Sequence, residues 1–350
     1  MRKGNTHVPE KWERERTNMA AEKTDVLLIG PPKPVIFNGL ARAFNVLKLA
    51  DATDREKFFA ETAPRLRAIA MSVSSERLDG ALMTRFPRLE IVSSFGVGYD
   101  HVDAAWAGAH GITVTNTPDV LTEEVADTAL GLLLCTVREL PQAERYLRAG
   151  KWTQKDYPLT RASLRNRTVG LVGMGRIGQA IARRLEAMQV PVVYHSRRPA
   201  AGLSYKHYPQ LMEMARDVDI LLVITPGGAN TKNLINAEVL KALGPRGILV
   251  NMARGSVVDQ SALIKALQDK TIMSAGLDVY ADEPKVPPEL IAMEHVVLFP
   301  HLGSASVATR ERMDQLVVDN LLAWAAGKSP LTPVAETPYP PKVSRPTQRS

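Results

Sequence analysis

Apolar residues recur along this chain in short runs of strand length, each followed by a stretch with helical spacing. Val26–Ile29, Ala68–Met71, Glu90–Ser93 and Ile112–Val114 form a first series of runs; Thr168–Val172, Pro191–His195, Ile220–Ile224, Gly247–Asn251 and Ser274–Leu277 form a second. Strands alternating with helices predict parallel α/β sheets. Between the two series the pattern predicts one long helix from Glu123 to Ala149, with Thr122 as its N-cap and Glu124 and Asp127 in its first turns. Another helix is predicted over 304–326, and its place after the second series implies that the chain returns to the first domain. The second domain is then an insertion. The predicted boundaries are 25–121 with 304–333 for the first domain and 122–303 for the second. A polar, aperiodic arm over 1–24 and a proline-rich tail over 334–350 flank them.

At 350 residues and 45% hydrophobic content the chain can bury two cores. Its single cysteine, Cys135, rules out an internal disulfide and any cysteine-cluster metal site, which points to a reducing compartment, the cytoplasm. Cys135 lies in the apolar run 130–137 and reads as a buried, inert thiol. No apolar stretch approaches the roughly 18 residues of a membrane helix, and the charged N-terminus has no signal-peptide core. The net charge of +7 is spread among acids rather than clustered with aromatics. It therefore suits small anionic ligands better than nucleic acid. Neither a membrane, a nucleic acid nor a metal is expected as a partner.

Gly173, Gly175 and Gly178 stand in G-x-G-x-x-G spacing, the first closing a β-branched strand and the last inside an amphipathic helix. That context suits a phosphate-binding turn, in which a helix N-terminus faces a dinucleotide pyrophosphate. The next strand ends in Ser196, Arg197 and Arg198, where an NAD site would present an acid to the ribose 2′-hydroxyl. A hydroxyl and guanidinium forks can instead hydrogen-bond a 2′-phosphate, so the sequence prefers NADP.

Three later motifs supply candidate chemistry. Arg254, in Asn251-Met-Ala-Arg-Gly255, is the sole basic residue between Gly247 and Gln260, and its planar fork suits a carboxylate beside a keto oxygen. His301, in Phe299-Pro-His-Leu-Gly303, is a side chain able to give a proton near neutral pH. Glu283, in Asp282-Glu-Pro284, could orient that ring and favour its charged form. Each has a bland reading alone: a surface arginine, a helix-capping histidine, a solvated turn acid.

Taken together with Phe95–Asp103 and Asn116–Thr122, these six motifs, from about Asp25 to Pro333, resemble the D-isomer-specific 2-hydroxyacid dehydrogenase family. The Leu331–Pro338 ending is most similar to its glyoxylate/hydroxypyruvate-reducing bacterial branch. The resemblance implies two doubly wound parallel-sheet domains, a Rossmann dinucleotide-binding domain inserted in a flavodoxin-like substrate domain, and a homodimer formed through the 123–149 helix region. It implies NADPH-dependent reduction of glyoxylate and hydroxypyruvate to glycolate and D-glycerate, with NAD(H) as a second cofactor. Arg254 would bind substrate carboxylate and carbonyl, His301 would be the acid/base and Glu283 its partner. Val97 and Gly98 would offer backbone N–H groups to the carboxylate, aided by Val73 and Ser74 of the 72–75 loop. Met174, Arg176 and Ile177 would join the three glycines and Ser196–Arg198 on phosphates and adenosine, with Thr225 and Pro226 on the adenosine side. Asp278 would hold the nicotinamide amide, and Met252, Ala253, Arg254, His301, Gly303 and Ser304 complete the implied cofactor contacts.

Two departures from the family pattern stand out. Ser72-Val-Ser-Ser75 lacks the glycines common in that loop, which touches the substrate pocket. Pro226-Gly-Gly-Ala-Asn-Thr231 replaces the commoner Pro-Leu-Thr-x-x-Thr, which is expected to touch only the adenosine edge. Two competing functions remain open. Trp152 and Tyr157 could reach an active site and set substrate size, leaving room for bulkier acids such as hydroxyphenylpyruvate, or could be packing aromatics. The chain could also be a non-enzymatic, cofactor-sensing protein like the corepressors that share the motifs, although the missing acid at Ser196 disfavours an NADH sensor.

Overall fold

The computed structural model describes residues 23–73 and 76–343, which fall into two compact units, each on its own parallel sheet. One unit holds the described chain through Phe95, then His101–Asn116 and the residues from Asp314 onward; the other holds Gly96–Asp100 and Thr117–Met313.

In the first unit β1 (Asp25–Ile29), β2 (Asn45–Lys48), β3 (Ala68–Met71), β4 (Ile91–Ser94) and β5 (Thr113–Thr115) pair in the order β2-β1-β3-β4-β5. That is the flavodoxin-like order. β1, β3 and β4 are buried along their whole length, so none shows the polar alternation of a half-buried strand. The connecting helices 55–62, 80–84 and 104–109 start at Asp54, Asp79 and Asp103, whose carboxylates accept the amides of Lys57, Leu82 and Trp106.

The second sheet contains β6 (Val169–Val172), β7 (Val192–His195), β8 (Lys206–Tyr208), β9 (Ile220–Val223), β10 (Ile248–Asn251), β11 (Ser274–Leu277) and β12 (Val297–Leu298). Their order, β12-β11-β10-β9-β6-β7-β8, is the Rossmann 3-2-1-4-5-6 arrangement with one strand added at the edge. Connections run outward in both directions from the β6/β9 pair, so the topological switch point, where such sheets bind ligands, lies at the carboxyl ends of those two strands. Leu221, Leu249, Val239 and Leu263 are among the core residues that close the sheet against its helices.

The structure departs from the sequence expectations in identifiable places. β2, β8 and β12, which the apolar pattern did not predict, are all sheet edges, where a strand needs neither length nor an apolar run. The single predicted 123–149 helix is two, Thr122–Arg138 and Leu140–Arg148, broken at Glu139 with φ 54°. Pro141 has no amide to continue the ladder and is tolerated only in the first turn of a new helix. Thr122 is that first helix's opening residue rather than its cap, because its amide already bonds to Asp119 O at 3.0 Å. The final helix runs Val307–Ala325, with Ser306 Oγ accepting the Thr309 amide. Cys135 is partly rather than fully buried, and burial pushes its thiol up.

Domain boundaries shift as well. Gly96–Asp100 and 117–121 group with the dinucleotide unit, as does 304–313, while the first unit regains the chain only at Asp314. Residues 334–337 are not a tail. The Val334 amide donates to Val114 O at 2.9 Å, and Thr337 Oγ1 accepts the Val114 amide at 2.8 Å and donates to its carbonyl at 3.1 Å. β5 is an edge whose unpaired backbone groups need partners, and the residues between the prolines still carry the amides to supply them. Of the predicted arm only Lys23 and Thr24 belong to the described residues.

Candidate active site

β6 delivers the chain to Gly173, whose φ of 111° favours glycine and where a Cβ would come 3.0 Å from Ile224 O and Thr225 N at the end of β9. Gly178 is needed for close helix-on-strand packing, since a Cβ there would lie 2.5 Å from Gly173 O. Gly175 is different. Its backbone is extended, and a Cβ would meet nothing within 4 Å. Protein packing does not require glycine at that position, and the bare backbone leaves the N-terminus of helix Arg176–Ala187 open to close approach by a ligand. The free amides and positive dipole end of that helix suit a pyrophosphate, so the turn fits a dinucleotide. Met174 is buried, its carbonyl accepting Gln179 Nε2, while Arg176 is exposed and ion-paired to Asp119 at 2.9 Å.

Beyond β7, Ser196 Oγ donates to Arg198 O at 2.6 Å, and the Ser196 carbonyl lies 2.9 Å from His207 Nε2 on the edge strand β8. These bonds shape the turn and leave Arg197 and Arg198 exposed, with no acidic partner among the described residues. Two unneutralised guanidinium groups at a strand end, with no carboxylate among them, fit a phosphate monoester.

β10 ends in Asn251, whose side chain bridges the next turn by donating to Arg254 O and accepting the Ala253 amide. The turn projects Arg254, with its Nε donating to Asp100 Oδ2 at 3.1 Å and Nη1 to Ala253 O at 2.8 Å. A Cβ at Gly98 would overlap Arg254 Nη2 outright, so the guanidinium rests directly on the Gly98 backbone beside Val97. Asp100 was not singled out in the sequence, and only folding reveals it. The Gly227 departure also proves to lie elsewhere than expected. A Cβ at 227 would be 3.0 Å from Arg254 Cγ and 3.1 Å from Asp100 Oδ1, so the substitution touches the arginine rather than the adenosine edge alone.

His301 and Glu283 are brought together, Nδ1 to Oε2, at 2.6 Å, and the second carboxylate oxygen accepts the Tyr280 amide at 3.0 Å. Burial pushes the Glu283 carboxyl up, but the His301 hydrogen bond, the Tyr280 amide and the charges of His301 and Arg254 outweigh it and hold the group below its ordinary range. With Nδ1 occupied, the ring's Nε2 is the nitrogen left for chemistry. The Tyr280 hydroxyl, pushed up by burial, donates to Phe299 O at 2.9 Å. Asp278 is buried at the end of β11, and its two oxygens accept the amides of Leu302 and Gly303. Asp278 is the residue expected on a nicotinamide amide, and in the structure its carboxylate also organises the His301 loop. Gly303 packs between Asp278 and Met252, and its carbonyl accepts Thr128 Oγ1.

Val73 belongs to the first unit and is exposed, and Ser74 lies outside the described residues. Trp152 is exposed, while Tyr157 stacks edge-on against Tyr146 at 5.3 Å and bonds to Glu139.

Residues 130–303 match the model of the D-isomer specific 2-hydroxyacid dehydrogenase NAD binding domain. The glyoxylate/hydroxypyruvate reductase A of Arabidopsis thaliana is 43% identical over 313 residues, spanning 89% of this chain and 99% of the relative. The hydroxyphenylpyruvate reductase of Plectranthus scutellarioides is 42% identical with the same coverage. A crystal structure of the NADPH-dependent glyoxylate/hydroxypyruvate reductase of Sinorhizobium meliloti, in complex with NADP and malonate, is similar with a TM-score of 0.85 at 50% identity. It covers 93% of this chain and 99% of that one.

Proposed function

This chain belongs to the D-isomer specific 2-hydroxyacid dehydrogenase family, and we propose that it reduces glyoxylate and hydroxypyruvate to glycolate and D-glycerate, with NADPH as the preferred reductant and NADH as a poorer one. The observation that carries this reading is the 2.6 Å His301–Glu283 pair in the same unit as an arginine able to hold a carboxylate. The Gly173–Gly178 turn and the helix behind it would hold the pyrophosphate, and Ser196, Arg197 and Arg198 the 2′-phosphate. Thr225, Pro226, Met252 and Ala253 would line the rest of the cofactor. When bound, that cofactor supplies a hydride to the keto carbon. Arg254 binds the substrate carboxylate and polarises the keto oxygen, with the Val97 and Gly98 amides on the same carboxylate. His301 gives the proton that the oxygen then requires, and ionised Glu283 holds the ring for that transfer.

Loss of NADPH absorbance tests the reading with glyoxylate, hydroxypyruvate and phenylpyruvate in turn, and with NADH in place of NADPH. The Plectranthus relative favours a second reading, reduction of bulkier 2-keto acids. It replaces the first if phenylpyruvate leads by more than about tenfold in kcat/KM. No oxidation with any keto acid would leave a cofactor-sensing protein.

The active form in this reading is a cytoplasmic homodimer. Leu140, Leu147, Trp152 and Leu159 are exposed along one segment, and helix Leu140–Arg148 buries none of its residues. Apolar surface gathered in this way favours association. A single partly buried cysteine suits a reducing compartment, and among the described residues no helix is long and apolar enough to cross a membrane. A monomer in sedimentation at micromolar concentration would overturn the dimer.

A further inference from the structure

Arg254 is held from three sides within its own unit. Asp100 takes its Nε, Ala253 O takes one Nη1 donor, and the missing side chain of Gly98 lets Nη2 settle on the loop that also carries Asp100. The remaining guanidinium donors, at the Nη end, are therefore the ones left for a ligand. Gly227, after β9, completes the arrangement. A Cβ there would stand 3.0 Å from Arg254 Cγ and 3.1 and 3.2 Å from Oδ1 and Cγ of Asp100, so any side chain would press on both partners at once.

We infer that Asp100 is a positioning residue for Arg254 and that Gly227 provides the space in which the pair forms, the two together setting how tightly a 2-keto acid carboxylate is bound. The inference rests on the assignment of Arg254 to that carboxylate. Arg254 and Asp100 are each about one-third exposed or more, and a solvent-screened ion pair adds little to stability. Its effect lies in orientation: a guanidinium fixed along one edge presents the other without losing rotamer freedom when substrate arrives. The signature is thus a change in KM for the keto acid, with thermal stability and NADPH binding left in place.

Steady-state kinetics with glyoxylate and NADPH, NADPH affinity by fluorescence and melting temperature are measured for the intact protein and for Asp100→Ala, Asp100→Asn, Gly227→Ala, Asp100→Ala/Gly227→Ala and Arg254→Lys. Asp100→Ala is expected to raise the glyoxylate KM about tenfold with NADPH affinity within about twofold of the parent. Asp100→Asn keeps an oxygen that can accept from Nε and should recover most of that loss. Gly227→Ala should raise the KM about threefold in the parent and by clearly less once Asp100 is already alanine, because the arginine can then yield to the new methyl. An unchanged or lowered KM in Asp100→Ala, with Arg254→Lys crippled, overturns the inference and leaves the arginine's role standing. Parental kcat/KM in Arg254→Lys overturns the role itself.

Discussion

Asp278 holds the loop of His301 by its backbone: its carbonyl accepts the His301 amide at 2.9 Å, and its carboxylate takes the next two amides, Leu302 and Gly303, at 2.7 and 3.0 Å. His301 sits at φ 51°, a conformation that side chains other than glycine adopt at a cost and that persists where the surroundings over-determine it. Because the loop is fixed by backbone bonds, the imidazole can be removed without collapsing it. His301→Ala should lower kcat with glyoxylate by about 100-fold or more while the melting temperature and NADPH affinity stay near parental values. Turnover close to that of the parent would remove the ring from the proton transfer.

The Glu283 carboxyl is held below its ordinary range in the folded protein, so its ionised form contributes stability. That contribution is complete above the unfolded pKa, about 4.3, and disappears as pH falls through the lowered folded value. The difference in melting temperature between the parent and Glu283→Gln should therefore be full at neutral pH and shrink in acid. Asp278, pushed up chiefly by burial against the pull of its two amides, titrates in the opposite sense; the part of its shift that the Glu283 charge adds is lost in Glu283→Gln and offsets some of the difference. A gap that widens in acid would contradict a Glu283 carboxyl held low by its partners.

Gly175 and Gly178 separate a ligand requirement from a packing one. Gly178→Ala drives a Cβ to 2.5 Å from Gly173 O and should lower the melting temperature and NADPH affinity together. Gly175→Ala meets no protein atom within 4 Å. It should leave the melting temperature alone and weaken NADPH by about tenfold or more, read by fluorescence titration. Equal losses of stability in the two variants would mean that the turn is built for the fold rather than for the phosphates.

Arg197 is exposed and has no acidic neighbour among the described residues, which makes it a clean place to reverse charge. Arg197→Asp places a carboxylate where a 2′-phosphate would otherwise find a guanidinium, and should cut the NADPH/NADH ratio of kcat/KM by about tenfold or more. An unchanged ratio would take the Ser196–Arg198 turn out of cofactor selection.

Much of this fold was legible because the central strands are buried along their length and are mostly apolar. Edge strands carry no such signature: β8 reads Lys-His-Tyr and β12 is two residues long, so only their hydrogen bonds to a neighbour define them. The Glu139 break was visible in principle, since Pro141 cannot donate to the preceding turn, but an otherwise continuous helical pattern outweighed it. At the site, Arg254, Glu283 and His301 announce themselves by residue type and context. Asp100 does not, because its partner lies 154 positions away and nothing local distinguishes it from a turn acid. Gly227 was noticed for the right reason and assigned to the wrong neighbour, since the end of β9 faces both the cofactor turn and the loop holding Arg254.

The bonds from Val334 and Thr337 to Val114 tie together residues more than two hundred positions apart, with the whole of 117–313 between them. On a ribosome, the dinucleotide unit is therefore complete while the sheet begun at Asp25 still waits for its last edge cover and for helix residues 314–325. The unit that contains β1 is finished after the one inserted in it, so the β5 edge stays open while 117–313 are made.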